Sequence, residues 1–408
     1  MPLRLRSIYR LRKAVQNSDA VRWMSSSSFQ PNPAPKSQPG QIQNAANNEL
    51  ESDRVVVEID EARDFIERCL RKLRVSQSHA AQMGDLLVTA DHRGHFSHGL
   101  NRLDMYILDV KRNLTNLSGV PGIIKESAST ALVDGNNLLG AVVGNFAMGV
   151  AMKKAKETGV GWVSARASNH FGIAGYYGLQ AVREGLIGFA FCNTSPLAVP
   201  TRAKTLALGT NAMCVMAPAA NGDYFALDMA TTTVAIGKVE LAMRTQQKVP
   251  PVWGVDKDGK ETTDPEKIYV GGGLLPIGGL EGNGGYKGYA LNVMVEIFCG
   301  ILANAAFGPL VRPWTNPTSE ANLGQCWGAI DPDCFGNGFR ERLHGFLNIL
   351  RHLEPADPSK PVLVPGDPER LHMDKCKRLG GIPYHINQIR HAEEVAQQLG
   401  VEPMRTQQ

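Results

Sequence analysis

No two of the seven cysteines form a Cys-x-x-Cys pair. Cys69, Cys192, Cys214, Cys299, Cys326, Cys334 and Cys376 are scattered over 408 residues. That leaves a zinc ribbon or a thioredoxin-type motif unsupported, and the odd count suits a reducing compartment better than a disulfide scaffold. No apolar run is clean enough to span a membrane. The most apolar stretch, residues 289–307, carries Asn292, Glu296 and Asn304 and reads as a buried helix. There is no repeat of fixed period. Neither a Gly-x-Gly-x-x-Gly after a strand nor a Walker loop occurs, since Gly282-x-Gly284 leads into Tyr286-Lys287. The body also lacks a charge excess. The net charge is +4, but residues 1–50 hold seven bases and two acids, so the remainder carries 36 bases and 37 acids. A near-neutral body has no electrostatic footprint for nucleic acid.

What is present divides the chain. Residues 1–50 carry bases at Arg4, Arg6, Arg10, Arg12 and Lys13, then four serines from Ser25 to Ser28, and no acid before Asp19. An Arg-rich, Ser-rich, acid-poor start is similar to a mitochondrial transit peptide, which implies a mitochondrial location. The alternative is a disordered basic extension of a cytoplasmic protein. From residue 51 to 130 the pattern is helical. Ile59, Ala62, Ile66, Cys69, Leu70 and Leu73 keep a helical period over 60–73. Ser76 or Ser78 can cap a second helix to about Ala90, and a third is predicted from Ser97 to about Arg112. From 131 to 289 apolar runs at 130–133, 160–164, 188–192, 214–217 and 224–227 alternate in part with helical stretches at 144–157 and 174–184. That alternation predicts an α/β domain. Residues 290–408 are expected to add a helix, a Pro-rich connection at 309–318, a strand at 326–330 and further helices, and to pack back on the helical part.

Four constellations carry chemistry. Asp91-His92-Arg93-Gly94-His95-Phe96-Ser97-His98-Gly99 is followed by Arg102 and Tyr106. On a helix, His98, Arg102 and Tyr106 would share one face. A guanidinium grips a carboxylate bidentately, and an imidazole moves a proton near neutrality, so the set suits a 2-oxo or 2-hydroxy acid. A solvated helix face is the plainer alternative. The spacing of His92, His95 and His98 does not favour a metal, because Gly94 breaks any shared face. Ser168-Asn169-His170-Phe171-Gly172 follows a strand-like run, where polar residues in α/β folds are commonly functional; a buried structural histidine is the alternative. Gly209-Thr210-Asn211, then Asp228 to Lys238, then Gly284 to Gly288 are small and glycine-rich. Lys287-Gly288 before a helix could attract phosphate, or be an ordinary turn. Pro365-Gly366-Asp367 follows a strand-like run at 362–364; its carboxylate could accept ribose hydroxyls, or the turn could simply reverse the chain.

Together and in this order, these motifs resemble the type-2 malate/L-lactate dehydrogenase family, with its ureidoglycolate, sulfolactate and diketogulonate oxidoreductase relatives, over residues 55–400. The resemblance implies an α/β fold with a non-Rossmann dinucleotide-binding domain, a mixed sheet and a mostly helical second domain. It implies an NAD- or NADP-dependent oxidoreductase that passes a hydride between nicotinamide and a small 2-hydroxy or 2-oxo acid, malate-type in the first instance. Homodimers are the family habit, and neither a metal nor a membrane is implied. His98 and His170 match the histidines given the proton-transfer role in different branches, with Arg102 as carboxylate binder and Ser97 and Tyr106 beside them. Cofactor contacts carry over to Ser195, Asp228, Met229, Ala230, Lys287, Gly288, Pro365, Gly366 and Asp367. Asp367 stands where the family usually has glutamate, and residues 281–285 are longer than usual. A cyclic imine reductase acting on piperideine- or pyrroline-2-carboxylate is the alternative enzyme. A non-catalytic cofactor-binding protein is the alternative from another class.

Overall fold

The computed structural model describes residues 53–313 and 317–407. The basic tail and its targeting expectation lie outside them.

β1 (Arg54–Val57) leads into α1 (Ile59–Lys72), where Ala62, Phe65, Ile66, Cys69 and Leu70 make one buried face. Asp60 and Glu61 in its first turn and Arg71 and Lys72 in its last match the helix dipole. α2 (Gln77–His92) packs against it through a face that includes Met83, Leu86 and Leu87. The third predicted helix starts later than the sequence suggests. A single 3-10 turn covers Leu100–Arg102, and α3 runs over Leu103–Lys111. The cause lies in α2: the Asp91 carboxyl takes the Leu100 N–H at 2.8 Å. His98 therefore sits in a turn, not on the helix.

The chain continues through β2 (Gly122–Glu126), β3 (Thr130–Asp134), α4 (Gly140–Thr158), β4 (Val160–Ser168), α5 (Gly175–Arg183), β5 (Ile187–Cys192), β6 (Ala212–Pro218) and β7 (Tyr224–Met229). After α6 (Ile236–Arg244), a small ribbon pairs β8 (Gly254–Val255) with β9 (Gly273–Leu274), bracketing α7 (Pro265–Tyr269). Then come α8 (Gly285–Glu296), β10 (Leu323–Ile330), α9 (Phe339–Arg351), α10 (Asp367–Leu379), β11 (Ile382–His385) and α11 (Ile386–Leu399). Seven strands make one mixed sheet in the order β2-β3-β4-β10-β5-β6-β7. The β3–β4 pair is parallel and the other neighbours are antiparallel.

β10 occupies the middle of that sheet although it lies beyond residue 290. Cys326, Trp327 and Ala329 on it are fully buried, as a strand covered on both faces requires. β11 pairs with β1, and α11 packs on α1. The C-terminal part thus reaches both the helical layer and the centre of the sheet.

Three local expectations fail. Residues 236–238, the end of the small, glycine-rich stretch from Asp228 to Lys238, open α6 and not an ordinary turn. Residues 362–364 pair with no strand, and the turn after them opens α10. Residues 289–307 are not one buried helix: α8 passes into a π-helical turn over Ile297–Ile301, with Val295 and Cys299 buried but Ile297, Ile301 and Leu302 exposed. No helix among the described residues is long and apolar enough to cross a membrane.

Candidate active site

α4 begins on glycine because the chain leaving β4 passes directly against it. A Cβ on Gly140 would lie 2.2 Å from the carbonyl oxygen of His170 and 2.4 Å from that of Asn169. The segment is also held by buried polar groups. Ser168 Oγ donates to Gln325 Oε1 at 2.6 Å, and Gln325 Nε2 donates to the Asn169 carbonyl at 2.7 Å. Asn169 Nδ2 donates to Asn137 Oδ1 at 3.0 Å and to the Leu138 carbonyl at 2.9 Å. Buried polar groups paired in this way fix a backbone in one place.

His98 meets His170 from the opposite side. Their rings stack with centroids 6.0 Å apart and planes 20° from parallel. Ser97 Oγ lies 2.8 Å from His98 Nδ1. Tyr106 Oη lies 2.6 Å from His170 Nδ1, and the Gly172 N–H donates to the same nitrogen at 3.3 Å. A backbone N–H can only donate, so Nδ1 keeps its lone pair and the neutral ring carries its proton on Nε2. Burial pushes the His98 ring down to about 4, helped by the Arg102 charge and His95. Burial likewise takes His170 down to about 3, with His98 and Arg102 adding to it. Both rings are neutral at pH 7.

Both histidines line a cavity of about 480 Å³, within the range of small-molecule and cofactor sites. Ser97 and Arg102 stand on the same wall, and Ser195, Asp228, Met229 and Ala230 also line it. Arg102 Nε donates to the Ser97 carbonyl at 2.7 Å. Tyr106 is buried behind His170 and does not reach the cavity surface.

The remaining expected contacts lie elsewhere. Lys287 is exposed, its ammonium 5.9 Å from the Tyr286 ring centroid. Gly288 packs on the backbone of Ile277, which itself lines the cavity. The Pro365 carbonyl accepts the Ala226 N–H at 3.1 Å along the free edge of β7, and Gly366 is buried beside it. Asp367 is occupied. It accepts from Arg351 Nε at 3.0 Å, Arg351 Nη2 at 2.9 Å, the Val364 N–H at 2.9 Å and Arg370 Nη2. Those bonds fill the roughly four acceptor sites of a carboxylate. The ribose-acceptor role expected of Asp367 therefore has no lone pair to use.

Sequence reasoning missed three features of the cavity. Arg312 is a second guanidinium in its wall, donating to Asp109 Oδ2 and to the Ser319 carbonyl, each at 2.6 Å. Its own carbonyl accepts from Ser195 Oγ at 2.6 Å. Arg312 sits in a Pro-rich connection with no helical or strand period, so no local signal marks it. His95 also lines the cavity, 3.5 Å from Glu369. Residues 232–236 line it as well, and they lead into the first turn of α6. Unpaired N–H groups at a helix start suit the phosphates of a dinucleotide, and the Gly237-Lys238 pair was the available signal. The chain is close-packed next to Asp228: the Gly175 N–H donates to Asp228 Oδ2 at 2.8 Å, and a Cβ on Gly175 would come within 2.4 Å of that oxygen. No group of three or more His, Cys, Asp or Glu side chains among the described residues could hold a metal ion.

Known proteins share this architecture. The malate/(S)-sulfolactate dehydrogenase of Methanothermus fervidus is 38% identical over 350 residues, covering 85% of this chain and 99% of its own. The structure of malate dehydrogenase from Pyrococcus horikoshii OT3 superposes with a TM-score of 0.79 at 36% identity, covering 87% of this chain and 98% of that one. The Δ1-piperideine-2-carboxylate reductase of Pseudomonas syringae pvar. tomato gives a TM-score of 0.75 at 27% identity, covering 84% and 99%. Residues 57–391 match the malate/L-lactate dehydrogenase family, and with the cavity and the mixed sheet described above, the chain belongs to that family of 2-hydroxy acid oxidoreductases.

Proposed function

We propose that this protein interconverts a small 2-hydroxy acid and its 2-oxo acid, malate-type substrates first, with NAD or NADP. The observation that carries the reading is the stacking of His98 on His170 over one cavity that Arg102 also lines. A nicotinamide, when bound, supplies or takes the hydride. Ser195, Asp228, Met229 and Ala230 would hold it, with the start of α6 facing its phosphates.

The chain's own groups do the rest. Arg102 grips the substrate carboxylate and fixes its orientation. His170, held as the Nε2–H form by Tyr106 and Gly172, donates a hydrogen bond to the C2 oxygen. His98 takes the hydroxyl proton during oxidation and returns it during reduction. A positioned acid–base group contributes about 10²–10⁴-fold.

A second reading, reduction of a cyclic imino acid, is favoured by the likeness to the piperideine-carboxylate reductase. It uses the same carboxylate grip. The test is a panel of oxaloacetate, pyruvate and Δ1-piperideine-2-carboxylate with NADH and NADPH, run on wild type, His98→Ala, His170→Ala and Arg102→Ala. We expect oxaloacetate turnover in the wild type and losses of about 10²-fold or more in each variant. Wild-type turnover in both histidine variants would refute the proton-transfer assignment. Turnover of the imine alone would favour the second reading. No turnover and no cofactor-induced rise in Tm would point to a protein that neither catalyses nor binds the nucleotide.

A further inference from the structure

Asp91, in the last turn of α2, is completely buried. Its Oδ2 accepts the Leu100 N–H at 2.8 Å and the Tyr384 hydroxyl at 2.9 Å. Its Oδ1 has no hydrogen-bond partner. Gly99 is pressed onto the carboxyl group: a Cβ there would lie 1.9 Å from Oδ1 and 2.1 Å from Cγ. Any other residue at 99 would force the turn away. Tyr384 also meets Phe96 edge-on, with centroids 5.9 Å apart. Both ends of the turn that carries Ser97 and His98 therefore lean on one carboxyl, Leu100 directly and Phe96 through Tyr384.

We propose that Asp91 is a positioning residue for His98, holding the turn at residues 96–100 as an uncharged carboxyl. No described residue forms an ion pair with it. His92 ends α2 and Arg93 follows it, with the Arg93 guanidinium turned to the Tyr224 hydroxyl at 3.0 Å. His95 lies on the turn, His372 and Cys376 on α10, and Tyr384 on β11. None of these supplies a cation to the carboxyl. An ionised, unpaired carboxylate at this depth is strongly disfavoured. Burial raises Asp91 to about 8, against the hydrogen bonds from Leu100 and Tyr384. The native form thus stays neutral through pH 7 and ionises as the pH passes about 8. Ionisation then puts a charge under the turn and disturbs His98. This explains a carboxyl that the chemistry of the cavity does not use.

The turnover arm of the test rests on the proposed function; the exchange arm does not. Asp91→Asn keeps one carbonyl-type acceptor for Leu100 and Tyr384 and cannot ionise. Asp91→Ala leaves both donors unpaired. Hydrogen exchange of the Leu100 amide and the pH profile of NAD(P)H oxidation are measured for both. We expect Asp91→Asn to keep the Leu100 protection, to turn over within about twofold of wild type at pH 7, and to lose the decline above pH 8. We expect Asp91→Ala to lose about tenfold or more in Leu100 protection and in kcat, with the cofactor KM nearly unchanged. If Asp91→Ala fails to fold, Tyr384→Phe, which removes one of the two bonds, replaces it and is expected to show smaller losses of the same kind. Wild-type exchange and kcat in the alanine variant, or a full alkaline decline in the asparagine variant, would overturn the proposal. A wild type inactive on every substrate would sink the functional reading and leave the exchange result to decide this one.

Discussion

Tyr106 Oη and His170 Nδ1 lie 2.6 Å apart, with the phenol wholly buried behind the imidazole. Burial raises the phenol well above its ordinary range, so it serves His170 as a neutral hydroxyl. Its task is to hold the ring with Nε2 turned outward. Tyr106→Phe keeps the aromatic volume and removes that hydroxyl, while the Gly172 N–H remains. We expect kcat to fall about tenfold with the substrate KM nearly unchanged, the value of one buried hydrogen bond. Steady-state kinetics at pH 7 check it. A rise in KM with kcat intact would instead place the hydroxyl on the substrate.

The two depressed histidines are expected to set the acid side of the pH profile. Both rings are neutral in the folded protein until the pH falls toward 4, whereas an exposed histidine takes its proton near 6.5. Because the folded values lie below the unfolded ones, their contribution to stability is present above about pH 6.5 and is lost as the pH falls toward 4. In the proposed reaction, neutral His98 is the base for hydroxy-acid oxidation. The kcat/KM for that direction, which reports the free enzyme, is expected to stay level from pH 7 to about pH 5 and drop below that. A limb centred near 6.5 would show that neither ring is buried as described.

Asp367 separates anchoring from cofactor binding. Burial works against its charge, but hydrogen bonds from Arg351, Arg370 and the Val364 N–H hold its carboxyl far below the usual range. Its stabilising effect is present above about pH 4 and is lost as the pH falls below that. Asp367→Asn is expected to destabilise the fold by about 2 kcal/mol or more at pH 7, read as a lower Tm, and to flatten the loss of stability in acid. The KM for NADH or NADPH should stay within about twofold. A large rise in cofactor KM at unchanged Tm would restore the ribose-binding role that its motif suggests.

Much of this was legible from residue order. The apolar runs mark β3 to β7 and β10, and the periodicity of Ile59 to Leu73 marks α1. The two histidine motifs and Arg102 do meet at one cavity. What escaped reading depends on distance. β2 is exposed at every position, so it shows no alternation to read. Arg312 enters the wall only because Asp109 and Ser195, from remote stretches, hold it there. The start of α6 was hidden by a run of threonines and a glycine that look like loop. The late start of α3 has a single cause, the capture of the Leu100 N–H by Asp91, and no helix propensity encodes that.

The strand between β4 and β5 is supplied by residues 323–330, far along the chain from both of its neighbours. While the ribosome is still making the chain, the two halves of the sheet therefore present raw edges to each other with nothing to join them. A product truncated before residue 323 cannot seat Gln325 beneath Asn169, and so cannot hold His170 in position. Activity should arise only once the chain has been translated past residue 330. Fragments that end early are left as sticky intermediates for chaperones and proteases, not as half-working enzymes.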